Sequence, residues 1–211
     1  MPGYVFRPKR VALISTDYPP LRTSAAVQMH DLAIELCRAG HSTVVIVATV
    51  DLPEQWTMQT ESGVVILRIR APKTRDIGYV RRTLMEFSLP FFMLVRMRKT
   101  PFARMSWDVV AWYSPTIFFG PFVWYLKRSS GCRTYLILRD IFPEWTLDLG
   151  LMRKGFAYAF FKAIAYIQYA VADVIGVQTE SNLAYMDAWR RCPNKRVEVL
   201  YNWQTPATDI G

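Results

Sequence analysis

The chain has 211 residues, 52% of them apolar, 14% aromatic and 20% charged, with a formal charge of +9. This supplies a core for one large domain and lies far from a disordered composition. The three cysteines, Cys37, Cys132 and Cys192, are odd in number and widely spaced without a C-x-x-C pair, which argues against a disulfide framework or a zinc knuckle and fits a reducing compartment.

The first ten residues hold no apolar run of signal-peptide length and no small-residue cleavage site, so a cytoplasmic location is expected. Residues 10–15 read as a buried strand. The loop Thr16-Asp-Tyr-Pro-Pro-Leu-Arg-Thr-Ser-Ala-Ala26 then opens a helix over 25–39. Capped by Thr23 or Ser24, that helix start can hold a phosphate on free backbone N–H groups. The loop has no G-x-G-x-x-G and no Walker lysine, which weighs against a nucleotide-binding oxidoreductase. Gly40 and His41 are ordinary helix-stop chemistry, and His30 has no second histidine or cysteine at ligand spacing, so no metal site is expected. Residues 42–69 read as two or three strands in succession, over 42–49 and 63–69, with turns around Asp51-Leu-Pro-Glu and Glu61-Ser-Gly.

Almost all of the excess charge is local: residues 68–104 carry 10 basic and 2 acidic groups. Inside that stretch a helix is expected over 79–99. Its apolar segment Thr83-Leu-Met-Glu-Phe-Ser-Leu-Pro-Phe-Phe-Met-Leu-Val95 is bracketed by Arg81 and Arg82 and by Arg96, Arg98 and Lys99. The segment is shorter than the about 20 residues that span a bilayer. It reads as a surface segment that meets an anionic membrane through Phe87, Phe91, Phe92 and the flanking basic residues. The bland alternative is a core helix with a solvated basic rim. Nucleic-acid binding is disfavoured, because interleaved stacking aromatics are lacking. A second apolar window, 109–126, is not read as transmembrane: Ser114-Pro115 splits it into a strand over 107–113 and a helix over 116–128.

Strands follow over 133–138, 173–178 and 196–200, with helices over 154–172 and 180–190. Alternation of apolar strands with helices specifies an α/β, doubly wound, mostly parallel, Rossmann-like sheet of about seven strands in one domain. Such sheets bind ligands beyond the carboxyl ends of their strands. The candidate residues are therefore Tyr18, Arg22, Ser24 and Ala25 after the first strand, Tyr113 and Ser114 after the fourth, and Arg139, Asp140 and Glu144 after the fifth. Asp140 is the most suggestive ionisable group, with an ion pair to Arg139 or a cap as its structural alternative.

Taken in order, Tyr18-Pro-Pro, Ser24-Ala-Ala-Val-Gln-Met-His-Asp-Leu-Ala33, Ala39-Gly-His41, Trp107-Asp-Val-Val-Ala-Trp-Tyr-Ser-Pro115, Arg139-Asp-Ile-Phe-Pro-Glu144, Ala172-Asp-Val-Ile175 and Asn202-Trp203 resemble the N-terminal domain of family 4 glycosyltransferases. Within that family they resemble the WbuB-like enzymes of capsule and O-antigen assembly. The resemblance runs over residues 10–203 and implies a GT-B fold, in which two Rossmann-like domains face each other across a cleft. It implies that this domain, 1–203, holds a sugar or lipid-linked sugar acceptor. Asp140 would orient or deprotonate the acceptor hydroxyl, and the loop from Tyr18 and Asn202 would line the cleft. A retaining, metal-independent transfer from a nucleotide-sugar, with no other cofactor, is implied, peripherally attached to the inner face of the cytoplasmic membrane. The family's glycine-rich turn after the first strand is replaced here by Thr23-Ser-Ala-Ala26. Residues 204–211 read as the start of an interdomain linker, with the donor domain and its paired glutamates expected from a partner protein. The competing expectation is a non-catalytic membrane-associated scaffold that recruits a transferase.

Overall fold

The computed structural model describes residues 7–74 and 77–203; the expected linker at 204–211 and most of the N-terminal segment lie outside the described residues. Among the described residues eight strands form one sheet: β1 Arg10–Ser15, β2 Ser42–Thr49, β3 Trp56–Glu61, β4 Val64–Arg70, β5 Val109–Ser114, β6 Arg133–Leu138, β7 Val174–Val177 and β8 Arg196–Val199. Their spatial order is β3-β4-β2-β1-β5-β6-β7-β8. Every pairing is parallel except that of β3 with β4. The helices are α1 Ser24–Arg38, α2 Tyr79–Met97, α3 Gly120–Ser130, α4 Glu144–Asp148, α5 Phe156–Val171 and α6 Asp187–Arg190.

The central strands are near-continuously apolar because both of their faces are covered. One face packs Ala12, Ile14, Ile46, Leu67, Trp112, Leu136 and Ile175 with residues of α2, α3 and α5. The opposite face packs Val11, Leu13, Val45, Ile66, Ala111 and Ile137 around α1. A single helix does not cover that second face, and a groove of about 900 Å³ remains beside α1, floored by Val11, Leu13, Val109, Ala111 and Ile137.

Three differences from the expected elements have local causes. The eighth strand, β3, is an exposed edge whose polar residues carry little hydrophobic signal. α3 begins at Gly120, with Pro121 in its first turn, instead of at 116. The expected helix over 180–190 is a 3₁₀ turn, Glu180–Met186, followed by the short α6; Thr179 and Asn182 form a reciprocal capping box at its start. Trp112 Nε1 donates to Gln168 Oε1 at 3.0 Å, and Gln168 Nε2 donates to Ser114 Oγ at 3.1 Å, which ties α5 to the end of β5.

Candidate functional site

The chain runs outward from β1 through β2 to β4 and returns to pair β5 with β1, so the strand order reverses between β1 and β5. At such a reversal the loops leaving the two strands diverge and open a crevice at the carboxyl edge. The loop after β1 and the end of β5 border it, with the end of β6 next to them.

The loop after β1 is rigidly built. Asp17 is buried and its N–H donates to Ser15 Oγ at 3.1 Å. Thr23 Oγ1 donates to Asp17 Oδ2 at 2.9 Å and accepts from Ala26 N–H at 3.2 Å, so one hydroxyl both braces the loop and caps α1. The capping residue is therefore Thr23, with Ser24 the exposed first residue of the helix and Ala25 buried behind it. Tyr18 is buried, and desolvation pushes its hydroxyl up to about 12. Arg68 donates to the Pro19 carbonyl, which anchors the tip of the loop to β4. Arg22 stands exposed at that tip.

Tyr113, Arg139, Asp140 and Asp17 converge. The buried Tyr113 hydroxyl is raised chiefly by desolvation; the Arg139 charge opposes the rise, and Asp140 and Asp17 add to it. Arg139 is only 9% exposed. Its Nη1 donates to the Leu200 carbonyl at 2.6 Å, and its guanidinium lies 5.1 Å from the Trp203 ring and 5.9 Å from the Tyr113 ring. Burial lowers the Arg139 pKa, with Tyr113 and Tyr135 opposing that shift. Asp140 is exposed on one side, yet desolvation on its protein side raises its carboxyl above the ordinary range. Among the described residues Asp140 forms no ion pair with Arg139, so the structural alternative of a salt bridge is not what holds it.

Other expected site residues are placed differently. Ser114 is 1% exposed, and its hydroxyl accepts from Gln168 and donates to the Thr116 carbonyl at 3.3 Å, so it supports the loop from beneath. Glu144 begins α4 and accepts from Lys162 Nζ at 2.6 Å, bracing α4 against α5. Asn202 is exposed beside Trp203, whose Nε1 donates to the Gln28 carbonyl at 3.1 Å. The structure adds Asp17 and Trp203 to the candidate site residues. Asp17 is two residues past the end of β1, a position that signals the crevice; the contacts of Trp203 with α1 and Arg139 give no sequence signal.

Of the residues expected at a membrane, Phe87, Phe91 and Phe92 are exposed on α2. Arg81 is exposed, and Arg82 Nε pairs with Glu86 at 2.8 Å. Arg96 donates to the Arg70 carbonyl and lies over the Phe92 ring at 4.7 Å. Arg98 lies over the Tyr125 ring at 5.4 Å, and Lys99 donates to Gln55 Oε1 at 3.1 Å. No described helix is long and apolar enough to cross a membrane, and no group of three His, Cys, Asp or Glu among the described residues is placed to hold a metal ion.

No protein-family model matches the sequence, and no curated protein matches it significantly. Solved structures match over nearly the whole chain. A sucrose-phosphate synthase from Thermosynechococcus elongatus superposes with a TM-score of 0.60 at 13% identity, covering 94% of this chain and 91% of that one. The catalytic domain of starch synthase IV from Arabidopsis thaliana, bound to ADP and acarbose, gives a TM-score of 0.64 at 12% identity over 97% of this chain and 54% of that one. The fold is that of a Rossmann-like GT-B domain. A UDP-glucosyltransferase from Polygonum tinctorium capable of glucosylating indoxyl gives 0.61 at 11% identity over 98% of this chain and 54% of that one. The chain thus spans about half the length of the latter two glycosyltransferases.

Proposed function

We propose that this GT-B domain is the acceptor side of a retaining glycosyltransferase of the family 4 type, serving cell-surface polysaccharide assembly. The observation that carries the reading is the convergence of Asp17, Tyr113, Arg139 and Asp140 at the β1/β5 reversal of a GT-B sheet. In this reading Asp140 accepts a hydrogen bond from the acceptor hydroxyl and takes its proton as that oxygen bonds to the anomeric carbon of the donor sugar, whose bond to the nucleoside diphosphate breaks with the electron pair leaving on the diphosphate. A carboxyl raised by desolvation is a better base than an ordinary surface aspartate. Arg139 fixes the chain leaving β8 against β6, which sets the wall of the cleft beside Asp140. Tyr113 and the loop bearing Tyr18, Arg22, Ser24 and Ala25 line the opposite side, with Asn202 at the cleft's edge and no resident metal invoked.

Donor binding belongs to a second Rossmann-like domain, and the acceptor is lipid-linked, which accords with the exposed apolar helix α2 and its basic ends and with work at the inner face of the cytoplasmic membrane. The test is titration of the purified 211-residue chain with nucleotide-sugars, alongside a turnover assay. Weak or no binding and no transfer are expected, and measurable transfer by this chain alone overturns the division of labour.

A further inference from the structure

The outward side of α2 carries an apolar stripe that folding leaves uncovered. Val80, Leu84, Phe87, Phe91 and Val95 recur at intervals of four and three, so they share one side of the helix. All five are exposed, Val80 by 78%, and Tyr79 extends the stripe at 88%. The core is met by different residues, Leu89, Pro90, Met93 and Met97. Scattered apolar residues are normal on a surface, whereas a contiguous apolar stripe marks a contact surface.

α5 continues the stripe. The Phe87 ring lies 6.3 Å from that of Phe160, and one turn earlier Phe156 is 90% exposed. Arg153 and Lys154, both exposed, lie just before Phe156, as Arg81 and Arg82 lie just after Val80. The only acid in 79–104, Glu86, is paired with Arg82. Two apolar helix faces with basic borders are complementary to an anionic headgroup layer, with the rings at acyl-chain depth.

We infer that the α2 stripe and the start of α5 form one docking surface for an anionic lipid bilayer, to which α5 contributes Arg153, Lys154 and Phe156. The surface adjoins the loop after β5: Phe87 packs 6.4 Å from Phe118, and Thr116 Oγ1 lies 3.5 Å from Glu86 Oε2. A docked bilayer therefore sits beside the loop that borders the candidate site. This deepens the proposed function by naming the surface that delivers a lipid-linked acceptor, and it rests on that reading only for its purpose.

The test is co-flotation of the full chain with vesicles of mixed phosphatidylglycerol and phosphatidylcholine, against phosphatidylcholine alone. The chain is expected to float with the anionic vesicles only. The paired substitution Arg153→Gln with Lys154→Gln should weaken partition roughly thirtyfold, at somewhat over fivefold per basic side chain. Phe156→Ser should weaken it too, and Val80→Asp with Leu84→Asp should abolish it. Circular dichroism on each variant confirms that it is folded. Loss with the α2 pair but none with the α5 variants overturns the joint surface. Absence of anionic-vesicle binding, or self-association that the α2 pair abolishes, overturns the lipid assignment. Transfer to a soluble acceptor, with the donor side supplied, should survive in the α2 pair, so failure of docking and failure of the proposed function read out separately.

Discussion

Replacing Asp140 by asparagine separates chemistry from architecture, because the amide preserves shape while removing charge and basicity. Asp140 is exposed on one side and has no ion-pair partner among the described residues, so little stability should depend on it. Its folded pKa is raised by desolvation, so the stability it contributes is fully present below the ordinary carboxylate pKa and is lost as pH rises through the folded value. At neutral pH the asparagine variant should therefore melt at or slightly above the wild type, with a change inside about 0.5 kcal/mol after solvent screening. A broken structural pair would instead lose roughly 1–3 kcal/mol. Transfer with the donor side supplied should fall by about a hundredfold or more, near 3 kcal/mol of barrier. Initial rates and thermal melts on the same preparations decide the matter. Unchanged transfer, or a loss of transfer matched by a loss of stability, refutes the role given to Asp140.

Three further substitutions probe the scaffold that positions the site. Asp173 accepts from Lys127 Nζ at 2.7 Å, Thr134 N–H at 2.8 Å and Thr134 Oγ1 at 2.9 Å. Burial alone would raise its carboxyl, but Lys127 and Thr134 hold it below the ordinary range, so its stabilisation is present above the unfolded carboxylate pKa and lost as pH falls through the folded value. Asp173→Ala should lose about 2–3 kcal/mol in urea melts at neutral pH, with the deficit shrinking in acid. Gly120→Ala places a Cβ 3.1 Å from the Cα and N of Gln168, forcing α3 and α5 apart, and should lower stability by about 1–3 kcal/mol. Gln168→Leu leaves the buried Trp112 indole N–H without its acceptor and should lose about 1–3 kcal/mol in the same melts, with Ser114 released from its place under the loop.

The parts of this fold that were legible are those whose physics is local. β1, β2 and β6 keep the bounds expected from the sequence, since strands covered on both faces carry near-continuous apolar centres that stand out between polar ends. The edge strand β3 buries little and so left a weak signal between two turns. The placement of Asp140 and Tyr113 at the carboxyl edge is legible because each lies at the end of a buried strand. The commitment of Ser114 was not, because its partner Gln168 is 54 residues away on a helix that pattern alone cannot orient. The same holds for Arg139, whose carbonyl acceptor on Leu200 is 61 residues distant. The stripe on α2 was visible as an apolar segment between basic ends, but which of its residues face outward depends on how α2 packs, and its continuation onto α5 depends on Phe87 meeting Phe160.

The most direct test of the account is transfer of labelled sugar from a nucleotide-sugar to a lipid-linked acceptor by this chain together with a donor-side GT-B domain, compared with each component alone. The account predicts transfer by the pair, none by either component, and its loss with Asp140→Asn. Equal transfer by the donor-side domain alone, or none by a folded pair with acceptor present, contradicts it.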